Sequence, residues 1–271
     1  MPKAFTHITV PKFSASHLAL AEVCAIELWN GYNYETGKEL EKSDEDLLVM
    51  FATPTFAMQK SATTQQTIKE LDIRELIRIA KLKALFRSAQ PTDFTGAIAA
   101  YKTTALVTYN GLKNKTLNLA NDYDYATEAT LKWSVKFVNN ITSVSVNGNH
   151  RVPLACRILF FAMPDMMVFN FSNGLAKKMC LQSRPQAAIS HFNKYLYDGL
   201  KLNKTLLQNL VMPKPTTLAE EIWLAANRGG WWQRRVLDLA LLLHFNVVTA
   251  APQLKTKAQQ LAVSWANKNT Q

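Results

Sequence analysis

Apolar residues recur every three to four positions through most of the chain, and the elements this predicts are helices. The first runs over 14–32, with Ser14 or Ser16 as N-cap, Leu18, Ala21, Cys24, Ala25 and Leu28 on its apolar face, and Asn30-Gly31 as the stop. A second, 43–54, has Ser43 as N-cap, Asp46 at the capping-box position and Pro54 as terminator. The stretch 61–89 is the clearest helical segment: Ile68, Leu71, Ile73, Leu76, Ile77, Ala80 and Leu85 share one face, and Arg74, Arg78, Lys81 and Lys83 lie largely off it. Helices are expected again over 92–109, just beyond the Asn110-Gly111 turn, and over 127–141. Pro153 suits the first turn of a strongly apolar helix that Pro164 ends. Segment 185–210 reads as two helices broken near Asp198-Gly199. Thr217 and Glu220 form a capping box for 217–230, which Gly229-Gly230 close, and 231–245 and 255–268 complete the set. Alternating strand patterns are few, so the expected fold is mainly α, with few or no strands.

Composition narrows the class. With 271 residues, 48% of them hydrophobic, the chain can bury a core and is no disordered polymer. Cys24, Cys156 and Cys180 are too scattered for a disulfide framework, and His7, His17, His150, His191 and His244 form no cluster for a metal. No metal or cofactor is expected. The first residues lack an apolar signal core and no stretch reaches the length of a membrane helix, so a soluble, cytoplasmic protein with no membrane partner is expected.

Charge is the feature that changes the picture. The net +11 is not spread evenly: residues 1–90 hold 11 basic and 11 acidic side chains, and residues 91–271 hold 20 and 9. Within 129–219 there are 11 basic residues against Asp165 and Asp198 alone. A neutral helical region over 1–110 is therefore expected beside a basic one over 111–271, a segregation suited to a polyanionic partner.

Several activities drop out because their motifs are missing. There is no GxxxxGK[ST], GxGxxG, HExxH or GxSxG, and acids are scarce where the basic charge lies, which argues against two-metal nuclease chemistry. One local arrangement suits DNA. Residues 141–146, the Asn147-Gly148-Asn149 turn and Arg151–Met163 read as a hairpin of two helices. A Gly-containing turn and a helix N-terminus aim unpaired N–H groups at a phosphate, with His150 and Arg151 beside them. An Asn-Gly turn is as readily a plain turn.

The run RVPLACRILFFAMPDMMVFNFSNGLAKKM (151–179), followed by WWQRRVLDLALLLHF (231–245), resembles the bacterial OGG-like proteins, relatives of the helix-hairpin-helix 8-oxoguanine DNA glycosylases. The likeness spans about residues 143–245. It implies a helix-hairpin-helix glycosylase-like fold, duplex DNA as partner, and a role in DNA repair or in conflict with phage and mobile elements. Such enzymes resemble one another in using an aspartate, with a lysine nucleophile in the bifunctional members. Here the lysine position holds Arg157, which stays protonated, and the aspartate position falls on Phe171. The resemblance thus implies a DNA-binding scaffold lacking the usual catalytic pair.

Asp165 and Asp238 are the carboxylates from which a relocated activity would have to come. For Asp165 the structural role is helix termination or an N-cap; for Asp238, beside Arg234 and Arg235, it is an ion pair or a hydrogen bond to a neighbouring helix. Trp231 and Trp232 share a corner with those arginines, an arrangement in which rings stack on an extruded base or single strand, or else simply anchor the core. Lys177, Lys178 and Arg184 extend the basic surface, as do Lys132 and Lys136. The rival readings are an active glycosylase, a single-stranded nucleic-acid binder, and an adaptor whose basic face meets an acidic protein.

Overall fold

A computed structural model describes residues 9–60, 156–157, 160–165, 169–170, 172–179 and 185–268. Helices account for nearly all of its regular structure. Among the described residues there is no strand, only an isolated antiparallel bridge between Tyr32 and Glu39. The mainly α fold is as the pattern predicted. The helices expected over 61–89, 92–109 and 127–141, and the hairpin centred on Asn147-Gly148, lie outside the described residues.

Two compact units share the described residues. One draws on the Met1–Ser43, Phe169–Lys214 and Trp232–Gln271 stretches, the other on Asp44–Val168 and Pro215–Trp231. The expected boundary at 110 lies outside the described residues. Hydrophobic faces far apart in sequence find each other, and local charge bias says nothing about which ones do.

In the first unit, α1 (Ala15–Trp29) starts where the Ser14 hydroxyl accepts the His17 N–H at 3.2 Å. It ends at Asn30, followed by Gly31 at φ +84°, a conformation open to glycine. Buried Leu18, Ala19, Ala21, Glu22, Val23, Cys24, Ala25 and Trp29 cover most of its circumference, so α1 is an interior helix rather than a surface one. The same unit holds α3 (Asn173–Lys178), α4 (Pro185–Leu202), α5 (Lys204–Leu207), most of α7 (Trp231–His244) and α8 (Pro252–Lys268), with α8 packed along α1. The turn after α1 docks on the segment before α8: Ala251 N–H donates to the Tyr34 carbonyl at 2.9 Å and Thr249 N–H to Glu35 Oε1 at 3.0 Å.

The break expected at Asp198-Gly199 is absent; α4 runs through it to Leu202. Gly199 instead marks a close approach. A Cβ there would stand 3.2 Å from Val10 Cγ1 and 3.3 Å from Leu237 Cδ2. The helix stops at Asn203, whose side chain binds the N-terminal segment. At the end of α7, Asn246 takes the left-handed conformation (φ 52°) and the Val247 N–H reaches back to the Leu242 carbonyl at 2.9 Å, a Schellman-type closure.

In the second unit, α2 runs Asp44–Lys60, past the terminator expected at Pro54. Proline removes one helical hydrogen bond; buried Leu47, Leu48, Phe51 and Ala52 just before it anchor the helix that carries it. Residues 160–162 are helical and turn at Pro164-Asp165, as expected of that proline. Helix α6 spans Glu220–Arg228, but Thr217 does not cap it. The N-cap is Ala219, without a side-chain bond. Thr217 is taken up by Glu45 of α2, whose Oε1 accepts the amides of Thr216 (2.7 Å), Thr217 (2.5 Å) and Leu218 (3.0 Å) and the Thr217 hydroxyl, while Oε2 accepts the Thr216 hydroxyl. Burial alone would raise the Glu45 pKa, but these hydrogen bonds outweigh it and hold the carboxyl below its ordinary range.

Gly229 and Gly230 divide two jobs. Gly230 sits at φ +62°. Gly229 has ordinary helical angles, yet a Cβ on it would lie 2.4 Å from Asp165 Cα and 2.6 Å from the Pro164 carbonyl oxygen. The α6–α7 junction is thereby pressed onto the 164–165 turn.

Candidate nucleic-acid interface and the buried charge cluster

The expected site residues scatter between surface, core and undescribed chain. Asn147, Gly148, His150, Arg151, Phe171 and Arg184 lie outside the described residues. Arg157 is half-buried on a helical turn, and Asp165 is half-buried at the turn against Gly229. Lys177 and Lys178 are exposed in the last turn of α3, where positive charge also complements the helix's carbonyl end.

Of the two roles set out for Trp231 and Trp232, stacking or anchoring the core, both rings take the second. Both are fully buried. Trp231 donates Nε1–H to the Phe160 carbonyl at 2.9 Å and packs on the Phe160 and Phe161 rings at 5.0 and 5.8 Å. Trp232 aims Nε1–H at Glu22 Oε1 (3.4 Å) and meets Trp29 edge to face at 6.1 Å. Neither ring turns a face to solvent, because an aromatic of this size gains more from burial than any other side chain offers at these positions. Arg234 and Arg235 follow them inside, at 0% and 6% exposure, so the aromatic–arginine corner is interior rather than a phosphate-holding surface.

Arg235 takes part in a buried cluster of the first unit. Asp238 is 1% exposed; its Oδ2 lies 3.6 Å from Arg235 Nη1 and accepts from Asn170 Nδ2 at 3.3 Å. Buried charge is tolerated when paired and hydrogen-bonded in this way. Tyr34 belongs to the same environment: burial pushes its phenol pKa up, while the Arg235 charge opposes the shift. Burial, with Glu27 and Glu35 adding to it, also pushes the Cys24 thiol up to about 12, leaving it protonated and unreactive at neutral pH. The arrangement around Asp238 matches the ion-pair role weighed for it.

Two features were not legible in the local sequence. The Glu45 clamp spans 171 residues of chain, and its SDED context reads as ordinary helix-start acid. The edge-on packing of His17, near the start of α1, with His244, at the end of α7, likewise has no local signal. Among the described residues no group of three or more His, Cys, Asp or Glu is placed to hold a metal ion, and no helix is long and apolar enough to cross a membrane. No protein-family model, no curated protein and no solved structure matches the chain.

Proposed function

We propose that this protein binds duplex DNA through phosphate contacts made by its basic half, as a scaffold of the helix-hairpin-helix glycosylase type that lacks the usual lysine–aspartate pair. The observation that carries the reading is the charge segregation: all of the +11 arises after residue 90, and 129–219 sets 11 cations against two acids. The exposure of Lys177 and Lys178 is in keeping with it. Such contacts position a protein on the duplex without reading sequence. The burial of Asp238 weighs against a relocated carboxylate there.

Labelled single- and double-stranded DNA, each titrated at two salt concentrations and then alkali-treated on a denaturing gel, tests the proposal. Phosphate contacts predict duplex affinity falling with salt at a log–log slope of about −0.9 per phosphate engaged, and no strand cleavage. Alkali-dependent cleavage would instead mean an active glycosylase. A preference for single strands would relocate the site to a different surface. No binding at low salt would overturn the DNA reading and favour an acidic protein partner.

A further inference from the structure

Three rings close over the start of α1. The His17 imidazole stacks on Phe13 at 4.8 Å, with planes 6° apart, and His244 from the last turn of α7 meets both edge-on, at 5.8 and 6.0 Å. His17 Nε2 lies 2.8 Å from the Ala240 carbonyl, which can only accept, so that nitrogen carries the proton. Phe13 is the end of an extended strap, residues 9–14, laid across the helices. Its N–H donates to Asn203 Oδ1 at 2.8 Å, Asn203 Nδ2 donates to the Pro11 carbonyl, and Tyr195 donates its hydroxyl to the Thr9 carbonyl. Val10 fills the space left by the missing Cβ of Gly199.

We propose that the Phe13–His17–His244 cluster is an acid-sensitive clasp for this strap, closed while the imidazoles are neutral and loosened when both carry a proton. Two like charges about 6 Å apart repel even through a water-like dielectric, and the third ring of the cluster, beside both, is a phenyl that offers no counter-charge. The surrounding electrostatics do not relieve the repulsion. Burial disfavours the His17 cation most, the Ala240 carbonyl opposes that effect, and the His244 charge adds to it, so the His17 pKa is lowered. Of the other charged groups on the packed elements, Lys194 pairs with Asp198, Lys201 lies over the Tyr197 ring, Glu22 accepts from Trp232, Glu27 pairs with Lys257 and Asp238 with Arg235, while Arg234 and Lys204 add positive charge only. Lys12, on the strap itself, is positive and exposed. A histidine with a lowered folded pKa stabilises the fold fully above the ordinary value near 6.5 and progressively less as pH falls below it.

The test is amide hydrogen exchange by NMR on the full chain at pH 7.5 and 5.5, corrected for intrinsic rates. The Phe13 amide reports the strap, and the Asn33 amide, bonded to the Lys38 carbonyl at 2.8 Å, is the reference. Protection at Phe13 is expected to fall at pH 5.5 by up to about three- to tenfold, the range Coulomb repulsion at 6 Å gives for two charged rings with an effective dielectric of about 80 to 40, while Asn33 is unchanged. H244Q, at an exposed position, removes the repulsion but leaves the cost of burying the His17 cation, so it should diminish the pH effect without abolishing it; H17Q should lose all of it. Equal protection at Phe13 at both pH values, an undiminished fall in H244Q, or a parallel fall at Asn33 would each overturn the clasp.

Discussion

Gly229→Ala is the substitution on which the packing reasoning stands most exposed. Gly229 has φ −74° and ψ −1°, angles any L residue accepts, so backbone strain contributes nothing and the whole effect comes from space. The added Cβ would meet Asp165 Cα at 2.4 Å, the Pro164 carbonyl oxygen at 2.6 Å and Asp165 C at 2.8 Å. All three are main-chain atoms, which cannot swing aside as a side-chain tip can. Relief requires the 164–165 turn to separate from the α6–α7 junction by about 1 Å, disturbing Trp231 and its bond to Phe160. Overpacking costs typically 1–3 kcal/mol where side chains yield, so a backbone clash belongs at the upper end, about 3 kcal/mol. For a chain of this size that is a melting shift of about 6–12 °C, read by thermal unfolding under circular dichroism. Gly199→Ala is the matched control. Its Cβ meets only side-chain methyls, at 3.2 and 3.3 Å, and the helix-propensity gain of about 1 kcal/mol offsets their displacement. It should melt within about 3 °C of the parent. A G229A protein that melts within about 2 °C of the parent, or one no worse than G199A, would refute the reasoning.

Three further outcomes are expected. E45Q replaces an acceptor of five hydrogen bonds with an amide whose NH₂ faces donors, and should cost about 2 kcal/mol in urea denaturation. Because the Glu45 pKa is lowered on folding, its contribution is complete above the ordinary glutamate value and disappears as pH falls toward the folded one; E45Q should therefore flatten the acid limb of the stability profile. W231F should cost about 2–3 kcal/mol, by cavity and by stranding the Phe160 carbonyl, and should leave any DNA affinity per folded molecule unchanged. The double variant K177A/K178A should bind duplex DNA more weakly and reduce the salt slope by about 2, with stability within about 0.5 kcal/mol of the parent; an unchanged slope would remove α3 from the interface.

Much of the secondary structure was readable because helix signals are local. Ser14, Asn30-Gly31 and Pro164 act within one turn of themselves, and they act as the pattern predicts. Where local reading failed, a distant partner had intervened. Thr217 looks like a cap until Glu45 claims it, and Asp198-Gly199 looks like a break until Val10 and Leu237 occupy the space beside it. Pro54 looks like a stop, yet α2 continues past it to Lys60. The candidate site divides the same way. The exposed lysines of α3 are where a basic amphipathic segment leads one to expect them, whereas the Trp231-Trp232-Arg234-Arg235 run carries both aromatic area and charge, and its sequence fits a surface or a core equally well.

The sequence by itself determined a helical, basic chain whose positive charge lies beyond residue 90, because helix period, caps and charge are properties of neighbours along the chain. Only the tertiary structure decided that α1 packs along the C-terminal α8, that two tryptophans and two arginines go inside, and that Gly229 is pressed against a turn more than sixty residues away. Those outcomes depend on which apolar faces meet and which buried charges find partners. Burial is a property of the whole packed unit, and no window along the chain encodes it.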